Sequence, residues 1–309
     1  MMTKKSLAVP ARTDLVALIA DSLSVSTGPA ITAYELGKLV YLKGKPLKIM
    51  APKKEYERVV DALLAVRLLT RIDGAPNAYL LFGHSAASPA EVACCLDTFA
   101  YVSHLSAMEH HGLTDRFPKV LYLTRPRAIE WRRQAEARMA RDLAEGLETY
   151  TLSGLPRLTL PALSNFSRTT IHVHERSQLG AFRNVSGSPL RVATMGRVFL
   201  DMLREPKSCG GMQHVIDVYR REAKRNLKLI VDEVSRHGQS IDKVRVGYVL
   251  MEVCHLEFDA ASEWQTYAQR GGSRKLDPDG EYASCYSERW KLSINVPSLS
   301  SPEQEFDDA

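Results

Sequence analysis

The chain has 309 residues, of which 45% are hydrophobic and 25% are charged, and its formal net charge is +5. These values are those of an ordinary globular protein of about two domains. No apolar run reaches the roughly 18 residues of a membrane span, and the N-terminus lacks the apolar core of a signal peptide. The five cysteines show no C-x-x-C spacing, so we expect a cytoplasmic protein without a disulfide framework or zinc ribbon.

Positive charge is concentrated in two parts of the sequence. Residues 1–84 contain 12 Lys and Arg against 7 Asp and Glu, and residues 116–141 contain 8 against 2. The remainder of the chain is net acidic. A basic N-terminal part joined to an acidic remainder suggests a polyanion-binding module attached to a body with another task. A basic face that is merely solvated is the alternative.

The N-terminal part predicts three helices and a hairpin. The apolar spacing of "TDLVALIADSL" predicts the first helix, and "ITAYELGKLVYL" contains a T-x-x-E capping box formed by Thr32 and Glu35. In "PKKEYERVVDALLAVRLL", Pro52 lies near the first turn, and the residues from Tyr56 to Leu64 supply one apolar face. "LLTRI" and "AYLLF" are predicted strands joined by the turn "DGAPN". Three helices followed by a hairpin is the order of a winged helix-turn-helix.

This order points to DNA, because a helix fits the major groove and a flanking hairpin can reach the adjacent phosphates. Arg58, on the polar face of the third helix, is the side chain best placed for a guanine edge. The other candidate DNA-binding residues are Lys43, Lys45, Lys48, Lys53, Lys54 and Arg71. Winged helices also serve as protein-docking modules. The connection "KGKPLKIMA" is longer than the tight turn of a minimal helix-turn-helix.

Several histidines raise the question of a metal or catalytic site. After a second capping box at Ser88 and Glu91, "AYVSHLSAMEHHGL" predicts a helix that ends at Gly112. His104 and His111 are seven apart, whereas metal-binding helices usually place ligands four apart, as in H-E-x-x-H. Histidines in a last turn interact favourably with the helix dipole, so a structural role is favoured. In "IHVH", His172 and His174 share a strand face, without a partner at a telling spacing.

The rest of the chain predicts further helices and strands. "PKVLYLT" is a predicted strand, and residues 127–147 form a charged helix or tether that is either solvated or able to touch phosphates. "TMGRVFLDMLREP" predicts a helix capped by Thr194 and closed by Pro206, followed by a long helix that stops at Gly238. "IDKVRVGYVLMEVCHL" is a further helix. In "YSERWKLSINVP" the apolar residues alternate as in a strand.

Three segments carry a family resemblance when they follow a predicted winged helix. They are "AYVSHLSAMEHHGLTDRFPKVLYLT", "RVATMGRVFLDMLREPKSCGGMQHVI" and "GGSRKLDPDGEYASCYSERWKLSINV". With the winged helix, this combination resembles the AbiEi-type antitoxin family of abortive-infection, type IV toxin-antitoxin systems. The resemblance implies an α+β fold with a winged helix-turn-helix over residues 1–84 and an antitoxin domain over residues 85–309.

The same resemblance implies a non-enzymatic protein without a metal or cofactor. Its winged helix would bind inverted repeats of double-stranded DNA upstream of its own operon and repress transcription, with two protomers on each operator. Its second domain would counter a nucleotidyltransferase-type toxin, generally without forming a stable complex. As speculative candidates for antitoxicity we take the basic residues of the long helix, namely Arg220, Arg221, Lys224, Arg225 and Lys228.

Two other function classes stay open at this point. The first is a nuclease or metal hydrolase that uses the histidines and scattered carboxylates, although no paired-carboxylate motif, nucleophile motif or Gly-rich phosphate loop is present. The second is a stand-alone transcriptional regulator whose large second domain senses a ligand or partner.

Overall fold

A computed structural model describes residues 11–84, 87–163, 165–166, 169–269 and 274–300. It is a mixed fold of helices and strands, as the α+β prediction requires. The predicted absence of a signal peptide concerns the N-terminus, of which residues 1–10 lie outside the described residues. No helix in the described ranges combines the length and apolar character needed to cross a bilayer.

The described residues form helices and strands with the following bounds. The helices are α1 (Ala11–Ser24), α2 (Ala33–Gly44), α3 (Pro52–Ala65), α4 (Pro89–Leu96), α5 (His104–His110), α6 (Ala128–Leu143), α7 (Leu147–Leu152), α8 (Met195–Arg204), α9 (Met212–His237), α10 (Ser240–Tyr248), α11 (Ala261–Gln265) and α12 (Pro297–Ser300). The strands are β1 (Ala30–Thr32), β2 (Leu69–Ile72), β3 (Ala75–Leu81), β4 (Tyr101–Val102), β5 (Val120–Pro126), β6 (Asn165–Phe166), β7 (Thr169–Arg176), β8 (Phe182–Asn184), β9 (Arg191–Ala193), β10 (Tyr286–Ser287) and β11 (Leu292–Ser293).

The chain divides into two compact units, each made of segments that are separate in sequence. The first unit comprises Met1–Ala100, Arg125–Ser177 and Asn184–Leu190. The second comprises Tyr101–Thr124, Gln178–Arg183 and Arg191–Ala309. The first unit therefore extends beyond residue 84 and includes α6 and α7.

The first unit opens with the order α1-β1-α2-α3-β2-β3. Its three strands form an antiparallel sheet in the order β1-β3-β2, in which Ala30 faces Leu80 and Arg71 faces Tyr79. Strand β1 was not predicted from the sequence, because it is only three residues long and depends on its pairing with β3.

The hairpin between β2 and β3 is tighter than predicted. Ile72 faces Ala75, so the loop consists of Asp73 and Gly74 alone, whereas the predicted turn extended to Asn77. Gly74 has a φ of +81°, a conformation that glycine adopts without steric cost. This conformation lets the chain reverse within two residues and extends β3 towards the tip.

The predicted starts of α2 and α4 and the apolar face of α3 are confirmed, whereas α1 already begins at Ala11, before the predicted segment. Thr32 caps α2 by accepting a hydrogen bond from the Glu35 N–H at 3.2 Å, but the Glu35 side chain does not return the bond and pairs instead with Lys38 at 2.7 Å. Ser88 and Glu91 form the complete capping box of α4. On α3, the apolar positions from Tyr56 to Leu63 are buried.

The core of the first unit joins residues that are far apart in sequence. Leu15 and Ile19 of α1 are fully buried, and the sheet contributes Leu69 and Leu81. The same cluster includes four residues from beyond position 130, which are Met139, Leu143, Tyr150 and Leu155. Helices α6 and α7 therefore complete the hydrophobic core of the three N-terminal helices.

A polar network also attaches α6 to α2. The Lys38 ammonium lies 2.9 Å from the Asp142 carboxylate, which accepts a second hydrogen bond from the Tyr34 hydroxyl at 3.0 Å. Arg138 pairs with Glu35. Burial alone would raise the pKa of Asp142, but the hydrogen bonds from Lys38 and Tyr34 lower it overall. The charged segment 127–147 is thus an amphipathic helix that packs on the core, not a free tether.

In the second unit, strands lie in the order β5-β4-β9-β8. Val102 of β4 faces Leu123 of β5 in an antiparallel pair and Val192 of β9 in a parallel pair. The sequence predicted helix for Tyr101 and Val102, which was wrong because pairing on both sides holds these residues extended. The helical segment begins only at His104 and ends, as predicted, before Gly112, whose φ is +67°.

Helices α8 and α9 cross at very short distance. A methyl group added at Gly196 would lie 2.2 Å from the carbonyl oxygen of Leu229, so only glycine allows this approach. Beside it, Arg197 and Asp201 form a buried ion pair with 2.8 Å between nitrogen and oxygen. Thr194 precedes α8 as predicted, although its side chain makes no capping hydrogen bond.

The C-terminal part of the second unit packs on α10, which continues as a π-helix over Val249–Val253. The four apolar residues of the predicted alternation, Trp290, Leu292, Ile294 and Val296, are buried, but Ser293 between them is fully buried as well, so the burial does not alternate strictly. Of these four apolar residues, only Leu292 lies in a strand, which is β11. Trp290 packs against Gly247 of α10 instead of against a neighbouring strand.

Candidate nucleic-acid interface

The connection between α2 and α3 forms a compact loop instead of the long irregular link that its length suggested. It covers residues 45–51, and its backbone turns back on Gly44, which accepts a hydrogen bond from the Leu47 N–H at 3.0 Å. Leu47 and Ile49 are half-buried and pack on the core of the first unit. The length of the loop thus serves to place two apolar side chains on the core.

Lysines alternate with these apolar residues and face the solvent. Lys43, Lys45 and Lys48 are exposed at the end of α2 and in the loop, and Lys53 and Lys54 are exposed in the first turn of α3. None of the five forms an ion pair with another residue in the described ranges. We call them the N-terminal lysine cluster.

The backbone is strained within this cluster. Lys48 has a φ of +52°, in the left-handed region that non-glycine residues rarely adopt. Such a conformation costs about 1–2 kcal/mol and persists only where the surrounding structure imposes it. Here the packing of Leu47 and Ile49 on either side imposes it, which fixes the position of the Lys48 backbone.

The exposed face of α3 is less basic than the sequence suggested. Beyond Lys53 and Lys54, the exposed residues Glu57 and Asp61 continue along the helix. Positive charge is therefore concentrated at the N-terminal end of α3, next to the loop. This end also carries the unpaired backbone N–H groups of the first helical turn, which favour anions.

Arg58 is not free to reach a base edge. Its Nε donates to the buried carboxylate of Glu55 at 2.8 Å, and its Nη2 contacts the same oxygen. A contact with guanine would require this ion pair to open. The i, i+3 spacing of Glu55 and Arg58 could have predicted the pairing, since such neighbours meet on one helix face.

The hairpin contributes one exposed cation, Arg71 of β2. It is fixed by the pairing of β2 with β3, where the register shifts by a bulge between Arg71 and Ile72. Asp73 follows at the tip, so the hairpin is not strongly basic. Six of the seven candidate DNA-binding residues are thus exposed, and Arg58 is the exception.

A groove of about 360 Å³ adjoins the lysine cluster within the first unit. Lys45 and Lys48 line it on one side, and Glu145 and Gly146 line it on the other. The Tyr41 hydroxyl donates to the Gly146 carbonyl at 3.3 Å and closes the floor. Glu145 is exposed and would repel a phosphate placed beside it in the groove.

The candidate antitoxicity residues lie on α9 in the second unit. Arg220, Arg221, Lys224, Arg225 and Lys228 are all exposed. Within the described ranges, Arg221 is the one of the five with a hydrogen bond or ion pair, because it donates to the Leu113 carbonyl at 2.6 Å and lies 3.2 Å from Glu222.

The histidines have several different partners. His104 is fully buried, with its Nδ1 2.8 Å from the Ser103 hydroxyl and its Nε2 2.6 Å from the Glu205 carboxylate. His111 instead lies 2.8 Å from the Ala193 carbonyl, and His110 is exposed in the last turn of α5. His104 and His111 therefore do not act on a common partner. His172 and His174 share one face of β7, as predicted, with ring centres 4.6 Å apart.

The pH dependence of stability should reveal the environment of His111. Burial lowers its pKa, although its hydrogen bond to Ala193 favours the charged ring. The unfolded chain, with an ordinary pKa of about 6.5, then takes up the proton at a higher pH than the folded chain. The contribution of the neutral His111 ring to the free energy of unfolding is therefore complete above a pH of about 6.5. It decreases as the pH falls from there towards the lower pKa of the folded state.

We therefore expect His111→Gln to flatten the decrease in the free energy of unfolding between pH 7 and pH 5, measured by urea denaturation. The control is Ser235→Ala, a change at an exposed position without a titratable group, which should leave the slope unchanged. An unaltered slope in the His111 variant would contradict the assignment.

Comparisons with protein-family models and with curated proteins find no match for this chain. Proposals about its function therefore depend on the geometry described above and on the sequence motifs.

Proposed function

We propose that the protein binds double-stranded DNA through its N-terminal elements, which act as a winged helix-turn-helix. The observation that carries this proposal is the N-terminal lysine cluster, five exposed lysines without acidic partners in the described ranges, at the junction of α2 and α3. The order α1-β1-α2-α3-β2-β3 supports it, because a winged helix has its recognition helix in the position of α3 and its wing in the β2-β3 hairpin.

The mechanism of binding is phosphate neutralisation at the start of the recognition helix. The cluster and Arg71 supply about six cations, so the logarithm of the affinity should fall with the logarithm of salt concentration at a slope near −5. Glu57 and Asp61 disfavour a backbone contact along the rest of α3. The helix therefore enters the groove by its N-terminal end, which is also the end that favours anions.

The salt slope tests this mechanism directly. In gel-shift titrations with operator DNA, replacing Lys45, Lys48 and Lys54 by alanine should reduce the slope by about 2.7, at about 0.9 per lost contact. A control variant that replaces the exposed Arg132 and Arg141 of α6 should change it little. A wild-type slope close to zero, or an equal loss in the control, would count against the proposal.

The biological role that best fits the motifs is that of a cytoplasmic antitoxin of a type IV toxin-antitoxin system. The protein would repress its own operon through inverted repeats and would counter a nucleotidyltransferase-type toxin without a catalytic step of its own. The family resemblance supports this role, and two of its three motifs form β4, α5, β5, α8 and the start of α9 in the second unit. Part of the third motif, residues 271–273, lies outside the described residues.

A stand-alone winged-helix regulator is the alternative. Co-expression with the toxin encoded next to the gene separates the two roles. The full chain with its lysine cluster replaced should still rescue growth if the second unit is antitoxic. The full chain is preferable to a fragment from residue 85 onward, because α6 and α7 belong to the hydrophobic core of the first unit. If the variant without the lysine cluster folds but no longer rescues growth, the second unit alone is not antitoxic. Repression would then be the only role left for the protein.

A further inference from the structure

Helix α9 carries a second basic surface, in a different unit from the N-terminal lysine cluster. It consists of Arg220, Lys224, Arg225 and Lys228, all of them exposed. None of the four makes an ion pair or a side-chain hydrogen bond with another residue in the part of the chain that the structure describes. We call these four residues the α9 basic face.

Arg221 lies on the same helix but differs from these four residues, because its side chain is engaged within the fold. It donates to the Leu113 carbonyl and pairs with Glu222, so both of its contacts lie within the fold. Glu222 is the only acidic residue between positions 218 and 231, and Arg221 occupies it. Asp217 and Asp232 lie at the two ends of this stretch, three residues before Arg220 and four residues after Lys228, but neither forms an ion pair with the α9 basic face in the described residues.

This arrangement works against the stability of the helix itself. Arg220 and Lys224, and again Lys224 and Lys228, are like-charged pairs at i, i+4, which destabilise a helix. The opposite side of α9 is buried through Tyr219, Ala223 and Ile230, so the helix cannot rotate to separate the charges. A rigid row of exposed cations, with Asp217 and Asp232 only at its ends, is what a polyanionic partner would stabilise.

The spacing of the row favours a phosphate backbone as that partner. Helical rise places Arg220, Lys224 and Lys228 about 6 Å apart along one line, with Arg225 beside it. A nucleic acid strand presents negative charges at regular intervals, and lysine and arginine bind them by displacing counterions. We propose that the α9 basic face binds the phosphate backbone of a nucleic acid, as a site separate from the N-terminal lysine cluster.

The test uses the full chain in a background that removes the first site. With Lys43, Lys45, Lys48, Lys53 and Lys54 changed to alanine, fluorescence anisotropy is measured against a 20-base-pair DNA duplex of arbitrary sequence and against a 20-nucleotide single-stranded RNA. Salt titration should give slopes of about −3.6 for the duplex and −2.8 for the RNA if four phosphates are contacted. The stronger of the two signals identifies which nucleic acid the surface prefers.

Replacing the four residues of the α9 basic face by glutamine should bring both slopes close to zero and weaken binding at least tenfold at low salt. A matched control changes Arg132, Arg141, Lys207 and Arg236 to glutamine, which removes the same charge from other exposed positions. Circular dichroism and thermal melting check that each variant folds. Should the glutamine variant fail to fold, the single change Lys224→Gln is measured instead and should reduce the duplex slope by about 0.9.

Three results would overturn the proposal: no binding in the background, equal binding by the α9 variant, or an equal loss in the control. Because the background already lacks the N-terminal lysine cluster, failure of the proposed winged helix would not imitate any of them. Absence of nucleic acid binding would instead leave an acidic protein surface as the partner to which the α9 basic face is complementary.

Discussion

Replacing Tyr150 by alanine is expected to destabilise the first unit by about 3–5 kcal/mol, the usual cost of removing a large buried aromatic side chain. Tyr150 is fully buried, and its ring packs edge-on against Tyr41 at 5.4 Å and Tyr34 at 6.2 Å between centroids. Its hydroxyl donates to the Pro156 carbonyl at 2.6 Å. The alanine variant would lose both the packing under α2 and this hydrogen bond.

The three tryptophans allow this effect to be measured in one unit alone. Trp131 lies in the first unit, whereas Trp264 and Trp290 lie in the second. In a Trp264→Phe, Trp290→Phe background, urea denaturation followed by fluorescence therefore reports on the first unit. Tyr150→Phe is the matched control, since it keeps the ring and should cost only about 1 kcal/mol. Equal stability of the alanine and phenylalanine variants would contradict the role assigned to the ring.

The same packing bears on where the proposed DNA-binding part ends. A fragment of residues 1–84 lacks Met139, Leu143 and Tyr150, so it would expose the part of its core that α6 and α7 cover. The Tyr150→Ala variant should accordingly lose operator binding as it loses stability, although Tyr150 is not a candidate DNA contact.

The change Gly196→Ala is expected to destabilise the second unit by about 3 kcal/mol, at the upper end of the cost of overpacking. The added methyl group would lie 2.2 Å from the Leu229 carbonyl oxygen and 2.9 Å from the Cβ of Glu233. Backbone cannot move aside as a flexible side chain can, so α8 and α9 would have to separate. Their separation would also disturb the buried pair of Arg197 and Asp201.

A Trp131→Phe background restricts the fluorescence signal to the second unit for this measurement. Ser235→Ala, an exposed change on α9, is the control and should stay within about 0.5 kcal/mol of the parent. If Gly196→Ala were as stable as that control, the close crossing of α8 and α9 would be wrong. If the two units have the roles proposed above, antitoxic rescue should fail in the Gly196→Ala variant, whereas operator binding by the first unit should survive.

Much of the local structure was predictable because short-range rules govern it. Capping residues mark the starts of α2 and α4, and an apolar stripe specifies the buried face of α3. Gly112 and Gly238 mark helix ends for a similar reason, since the backbone hydrogen bonding of a terminus depends on residues within one turn. The α+β class follows from these elements.

Elements that depend on a distant partner were less predictable. Tyr101 and Val102 carry a helical pattern yet form a strand, because β5 and β9 offer hydrogen bonds on both sides. The strand β1 has only three residues and exists through its pairing with β3. Sequence patterns record the preferences of a segment, but such short strands are stabilised by neighbours that the segment does not contain.

The candidate sites show the same division. The sequence located the N-terminal lysines and the basic stretch of α9, since the charge of a side chain is a property of the single residue. Whether each cation is available was decided by the fold, which engages Arg58 with Glu55 and Arg221 with Leu113 and Glu222. A count of charges cannot distinguish a cation that is neutralised inside the structure from one that is not.

By itself, then, the sequence determined the helices, their caps, the apolar faces and the positions of the basic residues, all of which depend on neighbours within about one or two turns. Only the tertiary structure decided that residues 139–155 complete the core of the N-terminal helices, that α8 and α9 meet at Gly196, and which arginines are occupied. The first of these features joins residues that are more than a hundred positions apart, such as Tyr34 and Tyr150. The free energy that holds them together comes from burial and pairing that exist only once the chain has folded.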